Sequence, residues 1–159
     1  MPPISRELFY CIRMFVPKGA TILELGSGPG STVNLLETGY DIRSIEHNPA
    51  YMTYNKPENY IYCPLIIDNL QRFYNMELIV DKLPDYKALL IDGPDTDNRM
   101  QEFNKNYKYF NPKVHWFIDD YKLASMKEGI DELEKITGRE LLKFEVGAKH
   151  FAVLLGEGL

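Results

Sequence analysis

Glu46 stands 20 residues beyond Gly26, the first of three glycines in the run Thr21-Ile-Leu-Glu-Leu-Gly-Ser-Gly-Pro-Gly-Ser31. A carboxylate at the end of a strand, at that distance from a glycine turn, can accept hydrogen bonds from both hydroxyls of a ribose. Gly26, Gly28 and Gly30 permit positive φ and let backbone approach a ligand closely. The pattern is that of strand, glycine turn, helix, second strand and terminal carboxylate, the outline of a nucleotide-binding βαβ unit. Further acidic residues follow apolar runs that read as strands: Asp68, Asp92 and the pair Asp119-Asp120. Ligands of open α/β sheets bind outside the carboxyl ends of the strands, so these positions are candidates for chemistry. Asp is also a common helix N-cap directly after a strand, which gives Asp68 and Asp120 a purely structural alternative.

The elements that must carry these residues follow from periodicity and punctuation. Leu8, Cys11, Ile12 and Phe15 recur at helical spacing, predicting an amphipathic helix over 5–15 that stops before Pro17. Strands are predicted over 21–25 and 41–46, with a crossover helix over 31–37 ended by Gly39. Asn48-Pro49 opens a short helix carrying Tyr51 and Met52; a third strand over 60–67 ends at Asp68-Asn69, and a helix spans 75–82. A fourth strand over 88–92, a helix over 98–110 and a fifth strand over 114–119 follow, then a charged amphipathic helix over 124–137 ended by Gly138. Two apolar runs, 140–146 and 150–155, flank Gly147-Ala148 and read as a β-hairpin. The alternation of strand and helix predicts an α/β fold with a mostly parallel sheet and helices on both faces.

Glu24-x-Gly26-x-Gly28-x-Gly30, followed by Glu46, resembles the first motif of class I S-adenosylmethionine-dependent methyltransferases. The resemblance implies a Rossmann-like αβα sandwich of seven strands in the order 3-2-1-4-5-7-6, closed by the antiparallel hairpin, and spans residues 1–159 as one domain. It implies S-adenosylmethionine as cofactor, with Glu24, Gly26, Ser27, Gly28, Gly30 and Ser31 under its amino-acid part. Glu46 would hold the ribose, His47 and Asn48 flank the adenosine, Asp68 reach the adenine amino group, and Asp92 close the site. Asp92 with Asp119 and Asp120, at an interval of 27 residues, is similar to the divalent-metal site of catechol-type and sugar O-methyltransferases. Three oxygen ligands leave open positions on Mg or Mn for a substrate hydroxyl, whose pKa the ion lowers. The sugar enzymes usually carry an acidic base two positions after the first Asp; here that residue is Pro94, so either Asp95 or Asp97 takes the role or there is no dedicated base. The expected catalytic set is therefore Asp92, Asp95 and Asp119, and the expected acceptor is an oxygen of a small molecule or sugar. A metal-independent N-methyltransferase and a non-catalytic cofactor-binding subunit are the alternatives. Dinucleotide binding is disfavoured because its third small residue belongs at position 31 rather than 30.

Other features bound the reading. The 159 residues, with 18 Lys plus Arg against 23 Asp plus Glu, carry a net charge of −5 and no basic block, so a nucleic-acid backbone is not an expected partner. Cys11 and Cys63 lie in apolar contexts without metal or redox spacing and read as core residues of a reducing, cytoplasmic compartment. No apolar stretch is long enough to span a membrane. His115 and His150 are further base candidates, although each sits in an apolar strand pattern. Trp116, Tyr121 and the aromatics at 107–110 could wall an acceptor pocket or simply fill the core. A homodimer would cover an open sheet edge.

Overall fold

The computed structural model describes residues 4–68, 71–119 and 124–158. Among these residues nine strands and four α-helices follow one another as α1 (Arg6–Phe15), β1 (Thr21–Leu25), α2 (Thr32–Glu37), β2 (Asp41–Glu46), β3 (Tyr60–Tyr62), β4 (Leu65–Asp68), β5 (Gln71–Tyr74), β6 (Ala88–Ile91), α3 (Arg99–Asn106), β7 (His115–Asp119), α4 (Ala124–Thr137), β8 (Leu141–Val146) and β9 (Lys149–Leu154). Seven strands form one sheet in the order β3-β2-β1-β6-β7-β9-β8, which is the order the resemblance implies. The first five of these run parallel, and β9 lies antiparallel to both β7 and β8.

Helices cover both faces because the central strands are apolar on both. All four residues of β6 are fully buried, as expected for the middle of a parallel sheet. One face packs Leu23, Leu25, Leu89, Ile91, Trp116 and Ile118 against Met100 and Phe103 of α3 and Met126, Ile130 and Leu133 of α4. The other packs Ile22, Ile42, Leu90 and Phe117 against Leu8 and Ile12 of α1 and Leu35 of α2. Ser5 caps α1 by accepting the Leu8 N–H at 3.1 Å. α3 and α4 approach closely at Gly129, where a Cβ would lie 2.6 Å from Met100 Cβ. No helix among the described residues is long and apolar enough to cross a membrane.

Three elements differ from the sequence expectation. The third strand ends at Tyr62 instead of running to 67, because Pro64 has no N–H to continue the ladder with β2. After it, β4 leaves the sheet and pairs antiparallel with β5 in a separate two-stranded sheet. Asp68 therefore faces Gln71 in that pair, exposed, and does not end a strand at the sheet's carboxyl edge. The helix expected over 75–82 is two short 3-10 turns, Met76–Leu78 and Val80–Lys82, which bury Met76 and Ile79 three residues apart. The helix expected over 98–110 stops at Asn106 and continues as a 3-10 turn, Tyr107–Tyr109.

Candidate functional site

The carboxyl ends of β1, β2 and β6 converge on a cleft. Gly26 leaves β1 with φ at +84°, and a Cβ there would come within 3.1 Å of Gly93 Cα in the turn after β6. The two glycines thus let two strand-end turns touch backbone to backbone. The cleft holds a cavity of about 170 Å³ bounded by Gly26, Glu46, His47, Tyr74, Gly93 and Asp95, with Asn48, Tyr51, Leu65, Arg72, Pro94 and Thr96 completing its wall.

Glu46 is held in place before any ligand arrives. Its side chain is 3% exposed; Oε2 accepts the Ser27 N–H at 2.9 Å, and Oε1 accepts the His47 and Asn48 N–H groups at 2.9 Å each. His47 Nδ1 also lies 3.2 Å from Oε1. A carboxylate offers about four acceptor positions, so the remaining capacity is on Oε2. That outcome narrows the sequence reading: one hydroxyl of a ribose can be taken by Glu46 without displacing a backbone donor.

Glu24 plays a different part from the one expected. It is fully buried, with Oε1 accepting from Ser31 Oγ at 2.6 Å and Oε2 accepting from Thr32 Oγ1 at 2.8 Å and Ser44 Oγ at 2.7 Å. Its carboxylate ties the start of α2 and the middle of β2 to β1 and does not face the cavity. Burial pushes its pKa up to about 7 against the opposing effect of the three hydroxyl donors. Ser31 correspondingly caps α2 without a side-chain bond to its backbone. Thr32 Oγ1 also accepts the Gly28 N–H at 3.0 Å, and Ser27 Oγ lies 3.0 Å from Thr32 Oγ1 and 3.1 Å from Tyr60 OH. Gly30 is partly exposed, and its carbonyl accepts from Asn34 Nδ2. The glycine turn is therefore braced from beneath by hydroxyls.

Asp92 and Asp119 each follow or close paired positions of β6 and β7, since Ile91 pairs with Ile118. Both are buried, at 6% and 8% exposed. Asp95 stands on the cleft rim with its side chain 83% exposed, 3.9 Å from Arg99 Nη2. Asp120 and Tyr121 lie outside the described residues, as does Asn69. Among the described residues no group of three His, Cys, Asp or Glu side chains could hold a metal ion. Asp120, the third member of the expected metal trio, is not among them, while Glu46 and the two glycine turns fit a nucleoside ligand.

Placement in the structure distinguishes several of the sequence alternatives. Asp68 does not line the cavity. Trp116 belongs to the core, 1% exposed, with its indole N–H donated to the Asn111 carbonyl at 2.9 Å and Arg139 stacked 4.1 Å from its ring. Tyr107 and Phe110 line a different pocket with Trp116 and Arg139, away from Glu46. His115 is structural: its Nδ1 accepts the Gly156 N–H at 3.0 Å, and burial lowers its pKa. His150 lies in β9 opposite Glu145. Cys11 and Cys63 are buried free thiols, and burial pushes Cys63 up to about 11.

Tyr74 went unread in the sequence. It is 1% exposed and lines the cavity, and its hydroxyl packs against Gly93, where a Cβ would sit only 2.7 Å away. The Gln71–Tyr74 segment is a strand with aromatic character, and that was the available signal; the helical reading of the following residues obscured it.

No protein-family model matches the chain, and no curated protein matches it significantly. Its fold is shared with solved methyltransferases. A TehB-like SAM-dependent methyltransferase from Corynebacterium glutamicum is similar at 17% identity, covering 95% of this chain and 86% of its own, with a TM-score of 0.57. Aeropyrum pernix fibrillarin with natively bound S-adenosyl-L-methionine is similar at 13% identity, covering 86% of this chain and 66% of its own, at 0.56. The MycE methyltransferase from the mycinamycin biosynthetic pathway, solved with Mg and SAH, is similar at 14% identity, covering 96% of this chain and 50% of its own, at 0.58. The architecture is accordingly the class I methyltransferase fold.

Proposed function

We propose that this chain is an S-adenosylmethionine-dependent methyltransferase acting on an oxygen of a small-molecule or sugar acceptor. The observation that carries the cofactor half of this reading is the Glu46 carboxylate, fixed by three backbone N–H groups at the end of β2 beside the Gly26 turn. When bound, the cofactor supplies an activated methyl whose bonding pair stays on sulfur as the acceptor oxygen takes the carbon. Glu46 would accept a hydrogen bond from a ribose hydroxyl and set the ligand's depth in the cleft. Gly26 and Gly93 allow backbone to pass close beneath it. Asp95, solvent-exposed on the rim, would receive the acceptor's proton, and positioning would supply the rest of the acceleration.

The oxygen preference rests on Asp92 and Asp119, buried side by side at the ends of β6 and β7, with Asp120 as the residue that would complete a metal-binding trio. The MycE structure, a neighbour in fold, contains Mg. Transfer of labelled methyl to a panel of hydroxyl acceptors tests the proposal. Turnover that chelation and Asp119→Ala both abolish, with S-adenosylhomocysteine affinity unchanged, supports it. Turnover that survives both removes the metal and favours an amine acceptor, and absence of turnover with intact binding favours a cofactor-binding subunit.

A further inference from the structure

Tyr74 carries a polar group that the free chain leaves without use. Its hydroxyl is shut from solvent and has no hydrogen-bond partner among the described residues. Leaving such a group unpaired costs about 1–3 kcal/mol, and a phenylalanine would fill the same space without that penalty. Burial, then the nearby Glu46 carboxylate, holds the phenol pKa well above its usual value, so the group is a donor at any physiological pH. Around it stand His47, its ring centroid 6.2 Å from that of Tyr74, and the glycines of both strand-end turns.

The polar groups facing the cavity from this side are complementary. Glu46 only accepts, and its backbone donors leave capacity on Oε2 alone. A vicinal diol presents two hydroxyls, each able to donate and to accept. We propose that Tyr74 is a ligand-positioning residue whose hydroxyl donates to the ribose of the bound nucleoside, pairing with the hydroxyl that Glu46 cannot serve. This rests on the nucleoside site proposed above and adds a residue from β5, outside the glycine motif. As the ligand arrives, the ring turns off Gly93 and its hydroxyl gains the acceptor that it lacks in the free chain.

Calorimetric titration of S-adenosylhomocysteine and of 5′-methylthioadenosine into the unsubstituted protein and Tyr74→Phe tests the assignment, with thermal unfolding of both proteins alongside. The expected result is an about fivefold rise in Kd for both ligands, the loss of one neutral hydrogen bond, with a Tm for Tyr74→Phe equal to or above that of the unsubstituted protein. An unchanged or lower Kd overturns the contact and makes the hydroxyl a mere wedge. A rise for S-adenosylhomocysteine alone overturns the ribose assignment in favour of the amino-acid end. A lowered Tm shows that the hydroxyl has a partner in the free chain and overturns the premise. Failure of the unsubstituted protein to bind either ligand overturns the nucleoside site itself, and this inference with it, and is seen before any variant is measured.

Discussion

Glu24→Gln should remove much of the protein's stability loss between pH 5 and pH 8. The wild-type carboxyl is wholly buried, and desolvation outweighs three hydroxyl hydrogen bonds to raise its pKa from 4.5 to about 7. The folded chain therefore holds this proton more tightly than the unfolded chain. The stabilisation is full below about pH 4.5 and is lost as pH rises through about 7. At about 1.4 kcal/mol per pKa unit the whole shift is worth about 3 kcal/mol, of which about 2–3 kcal/mol falls between pH 5 and pH 8. Glutamine keeps the shape and one acceptor oxygen, and the Ser31, Thr32 and Ser44 hydroxyls can rotate to accept from its amide. Urea unfolding at both pH values gives the two stabilities, and comparing the variant with wild type cancels every other titrating group. A variant that loses as much stability as wild type between the two pH values would refute the assignment of this proton to Glu24.

Gly129→Ala should destabilise by about 1–3 kcal/mol, because overpacking against Met100 outweighs the roughly 1 kcal/mol gained in helix propensity; stabilisation in a denaturant titration would contradict the close α3–α4 contact. Arg139→Ala should cost about 2–4 kcal/mol. Its guanidinium donates to the carbonyls of Val114, Leu154 and Leu155 and stacks on Trp116, whose fluorescence reports the unfolding; a loss below about 0.5 kcal/mol would show that these bonds are readily replaced. Gly26→Ala should destabilise by about 1–2 kcal/mol through its left-handed φ alone, and unchanged stability would mean the turn relaxes away from Gly93.

Local signals carried the elements whose two ends are both punctuated. β1, β2 and α4 fall where the sequence reading places them, since apolar runs there meet Gly19, Gly39 and Gly138, all at positive φ. The sheet order followed from resemblance rather than from any residue count. What stayed hidden was decided at a distance. Pro64 has no N–H to continue the β3 ladder, and the residues after it pair with β5 in a separate sheet, so the continuous apolar run 60–67 concealed a break. Glu24 and Glu46 are both acidic residues of the same βαβ unit, and nothing local distinguishes the one that three hydroxyls bury from the one that three backbone N–H groups hold at the cleft. Tyr74 gains its meaning from Gly93, 19 residues away in the chain.

The central claim is that Glu46 anchors a nucleoside cofactor, and calorimetric titration of S-adenosylmethionine and S-adenosylhomocysteine into wild type and Glu46→Gln tests it most directly, with NAD as the control. The account predicts micromolar binding of the first two and none of NAD, with affinity falling about tenfold or more in the variant, the loss of a hydrogen bond to a charged acceptor. Equal affinity in both proteins, or no binding by wild type, would contradict it.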